Sequence, residues 1–257
     1  MSALLEIKDL YGGYTKGVDI LRGINLEVQQ GEVVGIIGLN GAGKSTFGKA
    51  VMNMLPIRRG AILFEGKDVT QLETHELARH GMAIMQQGGR VFRNLSVWDN
   101  LQLAANSANV NQRKIMRDII PLLHSSPRQL QRMMGDKLSG GQQHQLSLAI
   151  TLATGSRFVV LDEPSAGLSP KATEEMYAML RVCRDRFGLT TILIEQNIAK
   201  SIVYQDVKFP PEKFSKRSKA VIDLIKGCLT KDPKNRIKID EILKGEWIKQ
   251  QLFSEKV

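Results

Sequence analysis

Little in this chain could cross-link it, anchor it in a bilayer or stack it along a row of nucleobases. Its two cysteines, Cys183 and Cys228, stand far apart and in no C-x-x-C pair. That excludes a disulfide framework and predicts free thiols in a reducing compartment. The four histidines lack metal-ligand spacing, so core or solvated roles are expected for them. No run approaches ~18 consecutive apolar residues, and Met1 to Leu10 is interrupted by Glu6, Lys8 and Asp9. Neither a spanning helix nor a secretory leader is expected, and the reading is of a soluble intracellular protein. Aromatic residues make up only 5% of the 257 and are not interleaved with basic ones. The net charge of +10 therefore does not predict a nucleic-acid partner. Most of that charge lies in residues 208 to 257, which carry 13 Lys and Arg against 7 Asp and Glu. The length suits one α/β domain with a sizeable core and at most a small appended piece.

What is present begins with Gly38 to Thr46, G-L-N-G-A-G-K-S-T. This fits G-x-x-x-x-G-K-[ST], a pattern that chance produces in roughly one chain of this length in a hundred. The apolar run Val33 to Ile37 before it suits a buried strand, and Phe47 to Leu55 can continue as a helix until Pro56. Strand, glycine loop and helix are the context in which Gly38, Asn40, Gly41 and Gly43 can curl the backbone so that its N–H groups converge on phosphate. Lys44 is then expected to reach the β and γ phosphates of a nucleotide, Ser45 to place its hydroxyl on Mg²⁺, and Thr46 to support the α-phosphate side. The dinucleotide fingerprint does not fit, because Thr46 stands where a third small residue is needed.

Other segments read in order. Leu4 to Leu10 and Ile20 to Val28 alternate as half-buried strands, with a turn over Tyr11 to Gly17. In that turn Tyr14, with Tyr11 second, is placed to stack a nucleobase, although a lone loop aromatic also suits local packing. Gly60 to Phe64 reads as a strand, Glu65 to Asp68 as its turn, and Thr70 with Glu73 as a T-x-x-E cap opening a short helix that ends before Gly81. Met82 to Met85 is a further strand that delivers Gln86 and Gln87 into a loop. Ser96 and Asp99 cap a helical subdomain over residues 95 to 134. Behind L-S-G-G-Q at Leu138 to Gln142, Leu146, Ala149, Ile150 and Ala153 recur at helical spacing, so Ser139, Gly140 and Gly141 stand at a helix N-terminus. Phe158 to Leu161 is a buried strand ending in Asp162-Glu163, Ser169-Pro170 starts a helix, and Thr190 to Ile194 is a last buried strand ending at Glu195-Gln196-Asn197.

With L-S-G-G-Q ahead of a strand ending in Asp-Glu and a phosphate loop far upstream, residues 1 to 204 resemble the nucleotide-binding subunit of an ATP-binding-cassette (ABC) transporter. The segments M-Q-Q-G-G-R-V-F from Met85, D-E-P-S-A-G-L-S-P from Asp162 and I-E-Q-N from Ile194 are similar to the ATPases of branched-chain amino acid and related amide importers. The resemblance implies an α/β P-loop NTPase of ABC type: a mostly parallel core sheet, an antiparallel β subdomain and a helical subdomain. It implies ATP and Mg²⁺, a second ATPase subunit and membrane permease subunits, and a place on the cytoplasmic face of the cell membrane. The phosphate loop of one copy would close on Ser139, Gly140 and Gly141 of the other. Asp162 would hold Mg²⁺ through water, Glu163 would polarise the attacking water, and Gln87 would touch metal and water while sensing the permease. Chemistry of this kind is mainly positioning and charge stabilisation. Solvated carboxylates at a strand end, a regulatory ATPase without a membrane partner, and a chimeric chain that binds nucleotide without turnover stay open as alternatives.

The chain departs from the family pattern in places. Gln196 stands where most members have a histidine that reaches the γ-phosphate, and as an amide it can act only by hydrogen bonding. Ser169 replaces a usual aspartate, and Ile150 a common arginine. After about Tyr204 the expected strand pair does not appear. Residues 205 to 257 read as a basic helical tail, in which Phe209 to Ile248 resembles the last helices of a protein-kinase lobe: L-T-K-D-P-K-N-R from Leu229, with an apolar stripe of Val221, Leu224, Ile225, Cys228 and Leu229. The kinase glycine loop, catalytic lysine, H-R-D and D-F-G are absent, so no kinase substrate is expected.

Overall fold

A computed structural model describes residues 3–55, 57–107, 118–123 and 132–196. The readings made for the tail, for the domain limit at 204 and for residues 108–117 and 124–131 of the helical subdomain lie outside the described residues.

Among the described residues eight strands form two sheets. β1 (Leu5–Gly12), β2 (Leu21–Val28), β4 (Ile57–Phe64) and β5 (Lys67–Asp68) make an antiparallel sheet in the order β2-β1-β4-β5. β3 (Val33–Ile37), β6 (Met82–Met85), β7 (Phe158–Asp162) and β8 (Thr190–Glu195) make a parallel sheet in the order β3-β8-β7-β6. The α-helices among the described residues are α1 (Lys44–Val51), α2 (Thr74–Arg79), α3 (Val97–Ser107), α4 (Gly140–Ala153) and α5 (Pro170–Phe187). The α/β class, with a parallel core and an antiparallel subdomain, is thus the one expected.

The strand chemistry explains the two sheets. β7 and β8, F-V-V-L-D and T-T-I-L-I-E, are buried at every position, as strands covered on both faces are. In β1 the polar pair Lys8-Asp9 interrupts the alternation. Asp9 takes φ 45° there, and the register slips against both β2 and β4, which is how one extra residue is absorbed as a bulge. Leu5, Ile7 and Leu10 consequently all face the core. That core is continuous. Phe47, Ala50 and Val51 of α1 pack in one cluster with Leu5, Ile7, Ile62 and Phe64 of the antiparallel sheet and Val160, Ile192 and Ile194 of the parallel one. Phe64 and Phe158 meet edge to face at 6.1 Å.

Several sequence expectations are corrected. β1 runs on through Gly12, into the expected turn. β3 is half-buried rather than buried, because it pairs with β8 alone among the described strands. α1 ends at Val51 and does not reach Leu55. Asn53 takes φ 51°, and its amide donates to the carbonyls of Val69 and Leu72 at 2.7 and 2.8 Å, turning the chain away. The turn after β4 is only Glu65-Gly66, since Lys67-Asp68 already pairs back. Thr70 caps no helix. Its hydroxyl accepts from Ile62 N at 2.8 Å, and α2 starts after Glu73, whose N–H is covered by the Glu76 carboxylate at 2.8 Å. The Ser139 and Ser169-Pro170 helix starts are as expected.

Candidate functional site

The ends of β3, β7 and β8 and the start of α1 place the candidate residues. Between β3 and α1 the backbone curls with positive φ at Gly41 (80°) and Gly43 (88°). At Gly43 a side chain would be strained, and its Cβ would also lie 3.0 Å from Ile20 Cγ2. Asn40 and Gly41 are exposed at the loop tip and Thr46 is buried. The Lys44 stem is buried, and its ammonium donates to the carbonyls of Gly38 and Leu39 at 2.8 and 3.0 Å. The loop thus holds its own cation at the N-terminus of α1, where backbone N–H groups also favour an anion.

At the second residue of α1, the Ser45 hydroxyl donates to Asp162 Oδ1 at 2.9 Å. Asp162 ends the buried strand β7, and burial pushes its carboxyl above the ordinary carboxylate value. The Ser45 hydroxyl and the charges of Lys49 and Lys44 pull part of that back, and Glu195 adds to it. A buried carboxylate in this state is relieved by a nearby cation.

Glu163 follows with φ 47°, a conformation that costs a non-glycine residue about 1–3 kcal/mol and persists only where its surroundings enforce it. Its N–H donates to Ile194 O at 2.9 Å, and its Oε2 accepts from Gln87 Nε2 at 3.0 Å. Gln87 arrives on the exposed loop after β6. That loop is tied to α3 by a residue the sequence reading did not single out. Asn100, 1% exposed, accepts from Phe92 N at 2.9 Å and donates to the carbonyls of Phe92 and Ser96 at 3.0 and 2.9 Å.

Tyr14 is 54% exposed just before the turn Thr15–Val18, with Lys49 Nζ 5.5 Å from its ring centroid and 3.4 Å from its hydroxyl. Tyr11 is committed elsewhere, with the Arg59 guanidinium 3.6 Å from its ring. Of the two, Tyr14 is the more exposed. Gln196 is an exposed bend just past β8.

The structure brings Lys44, Ser45, Asp162, Glu163 and Gln87 together. It does not bring the signature residues to them. Ser139 caps α4 by accepting from Gln142 N at 3.3 Å, and no hydrogen bond among the described residues joins it to the phosphate loop. Gly140 and Gly141 differ: a Cβ on Gly141 would lie 2.9 Å from Ala172 Cβ, whereas one on Gly140 would meet nothing within 4 Å. Gly141 lets α4 approach α5, and Gly140 faces open space.

Residues 21–166 match the profile of the family described as ABC transporter. The lipopolysaccharide export system ATP-binding protein LptB of Acidithiobacillus ferridurans is 32% identical over 79% of this chain and 83% of its own length. The probable branched-chain amino acid transport ATP-binding protein LivF of Archaeoglobus fulgidus is 31% identical over 79% of this chain and 86% of its own. Among solved structures, cbiO1 of Clostridium perfringens, part of the ABC transporter complex cbiONQ, superposes with a TM-score of 0.73 at 26% identity, covering 89% of this chain and 96% of that one. The exporter and importer ATPases are about equally similar, so the expected importer type is not separated from the export type by likeness alone.

Proposed function

This chain belongs to the ABC transporter family as an ATP-binding subunit, an ATPase whose hydrolysis is coupled to transport, and on that premise we propose that it drives uptake of amino acids or similar polar solutes through a membrane permease. The segments at Met85, Asp162 and Ile194 favour the importer reading. Similarity to LptB favours export of a lipopolysaccharide-like glycolipid as the second. In either case the chain works as one of two ATPase subunits on the cytoplasmic face of the membrane. Among its described residues no helix is long and apolar enough to cross a bilayer; in the proposed assembly a permease spans the membrane.

The observation that carries the proposal is the pair of contacts Ser45–Asp162 and Gln87–Glu163, which set two carboxylates side by side with different tasks. Lys44 releases its loop carbonyls and turns its ammonium to the β and γ phosphates of ATP. Tyr14 stacks the base. The Gly41 and Gly43 backbone and Thr46 hold the remaining phosphate oxygens. The donors fit Mg²⁺, because Ser45, Asp162 and Gln87 offer hard oxygen atoms and the buried Asp162 carboxylate lacks a full counter-charge. When bound, Mg²⁺ offsets negative charge on the phosphates. Glu163 draws the proton of a water whose oxygen bonds to the γ-phosphorus as the bond to the β,γ-bridging oxygen breaks, leaving ADP and phosphate. Gln87 orients that carboxylate, and Gln196 donates an amide hydrogen bond to the γ-phosphate. Gly140, open to space beside Ser139 and Gly141, is where the second subunit's nucleotide docks.

Glu163→Gln is expected to bind ATP at near-parental affinity while kcat falls at least about a hundredfold, measured by phosphate release. Parental turnover in that variant would overturn the assigned chemistry. Co-purification of the tagged chain, followed by identification of the attached permease and of the solute that stimulates its ATPase, decides between uptake and export. Stimulation by a glycolipid and not by amino acids would replace the first reading with the second.

A further inference from the structure

Glu195 is a carboxylate with no part in the chemistry above, yet it is 3% exposed at the end of β8. Burying an ionisable group there is costly unless hydrogen bonds compensate it. They do, and they come from two directions. The Tyr177 hydroxyl on α5, itself 1% exposed, donates to Glu195 Oε1 at 2.6 Å. The same oxygen accepts from the backbone N–H of Ser165 at 3.4 Å. Ser165 lies two residues beyond Glu163, and the Glu163 N–H is already bonded to Ile194 O. The segment 163–165 is therefore fastened to the end of β8 twice, once by main chain and once by the Glu195 side chain, with α5 bracing that side chain from behind.

Glu163 needs such fastening. Its φ of 47° is a left-handed conformation that persists only where its surroundings enforce it; main-chain bonds hold Glu163 itself, N–H to Ile194 O at 2.9 Å and C=O from Ala166 N–H at 3.0 Å, and Glu195 adds a hold on Ser165 from outside the turn. We infer that Glu195 is a positioning residue for hydrolysis: through Ser165 N–H it holds the left-handed turn that aims Glu163, with Tyr177 fixing the Glu195 carboxylate. Glu195 directly follows Ile194, the register partner of Asp162 across the β7–β8 pairing. It pairs in register with Ile37, the last residue of β3. Glu195 thus joins the strand ends that carry the phosphate loop and the candidate base. This inference rests on the reading of Glu163 as the residue that polarises water.

The test uses the full chain and reads kcat, ATP affinity and melting temperature for Glu195→Ala, Glu195→Gln, Tyr177→Phe and Glu163→Gln, and for the Glu163→Gln/Glu195→Ala double variant. A displaced carboxylate should cost kcat about tenfold or more in Glu195→Ala and several-fold in Tyr177→Phe, with ATP affinity within about twofold of the parent. Glu195→Gln keeps an acceptor oxygen for Tyr177 and Ser165 and should recover most of the loss. In the Glu163→Gln background the Glu195→Ala change should add almost nothing to the single-turnover rate, since a residue acting through Glu163 has nothing left to aim. Unchanged kcat in both Glu195→Ala and Tyr177→Phe overturns the inference. So does a parallel fall in kcat, ATP affinity and melting temperature, which marks a core strut instead. Should Glu195→Ala fail to fold, Tyr177→Phe alone decides, because it removes one hydroxyl without leaving a large void. If Glu163→Gln hydrolyses normally, the chemistry assigned to Glu163 is what fails. If that variant is dead while Glu195→Ala and Tyr177→Phe are normal, only the inference about Glu195 does.

Discussion

At the scale of single residues, the Asp162 carboxyl is raised by burial, so the native state holds a proton more tightly than the unfolded chain does. The stability this group contributes is fully present below the ordinary carboxylate value and is lost as pH rises through the raised one. Asp162→Asn, which keeps an acceptor for the Ser45 hydroxyl, should therefore melt roughly 2–4 °C higher than the parent at neutral pH without nucleotide. The gap should close as pH falls through the carboxylate range. Thermal melts across pH check this, and with MgATP present the order should reverse. Lys44 and Ser139 separate binding from assembly. Lys44→Ala should lower ATP affinity along with turnover, whereas Ser139→Arg should leave affinity within about twofold and stop turnover, as read by nucleotide titration of each variant. The residues of this site that lie inside one continuous motif were legible in the sequence, because the motif fixes their spacing. Glu195 and Asn100 were not. Their roles depend on which helix face or loop turns toward them, and a lone polar residue at a strand end or in a helix carries no sign of that.

Among the elements, the bulge in β1 makes the sharpest demand on sequence. Gly60 faces it from β4 at φ 107°, where a Cβ would lie 2.5 Å from Asp9 O and 2.6 Å from Lys8 O. Both contacts are to backbone, which cannot swing aside. Gly60→Ala should cost about 1–3 kcal/mol, seen as a lower midpoint in urea with an unchanged slope. β3 and β6 were located from sequence to the residue, and β7 and β8 to within one, because short apolar runs bounded by polar residues leave little choice of limits. The end of α1 was misplaced because helical propensity says nothing of Asn53, whose side chain finds the Val69 and Leu72 carbonyls only after the fold has formed. The T-x-x-E segment misled for a related reason. Thr70 found a β4 backbone partner, and the helix took its start three residues later.

For the molecule as a whole, the proposed reaction needs two copies, since the described residues leave Gly140 open and place Ser139 with its own helix. Glu163→Gln should run as a monomer in size-exclusion chromatography without nucleotide and as a dimer with ATP. A single monomeric peak under both conditions would rule out a site shared between two copies of this chain. The sheet order has a further consequence, for how the chain comes into being. β3, which carries the phosphate loop, pairs among the described strands with β8 alone, and the turn before it is latched by Gly31 N donating to Thr190 Oγ1 at 2.8 Å, across 159 residues of sequence. During synthesis the loop emerges early, but the strand that seats it is made last among the described elements. Closing so long a loop is slow, and nascent chains should acquire nucleotide binding abruptly rather than by degrees. Chains stalled on the ribosome with residue 180 just exposed should not retain an ATP analogue, and chains stalled with residue 200 exposed should. ATP would then act as a late ligand that selects completed chains and pulls the last strand into register.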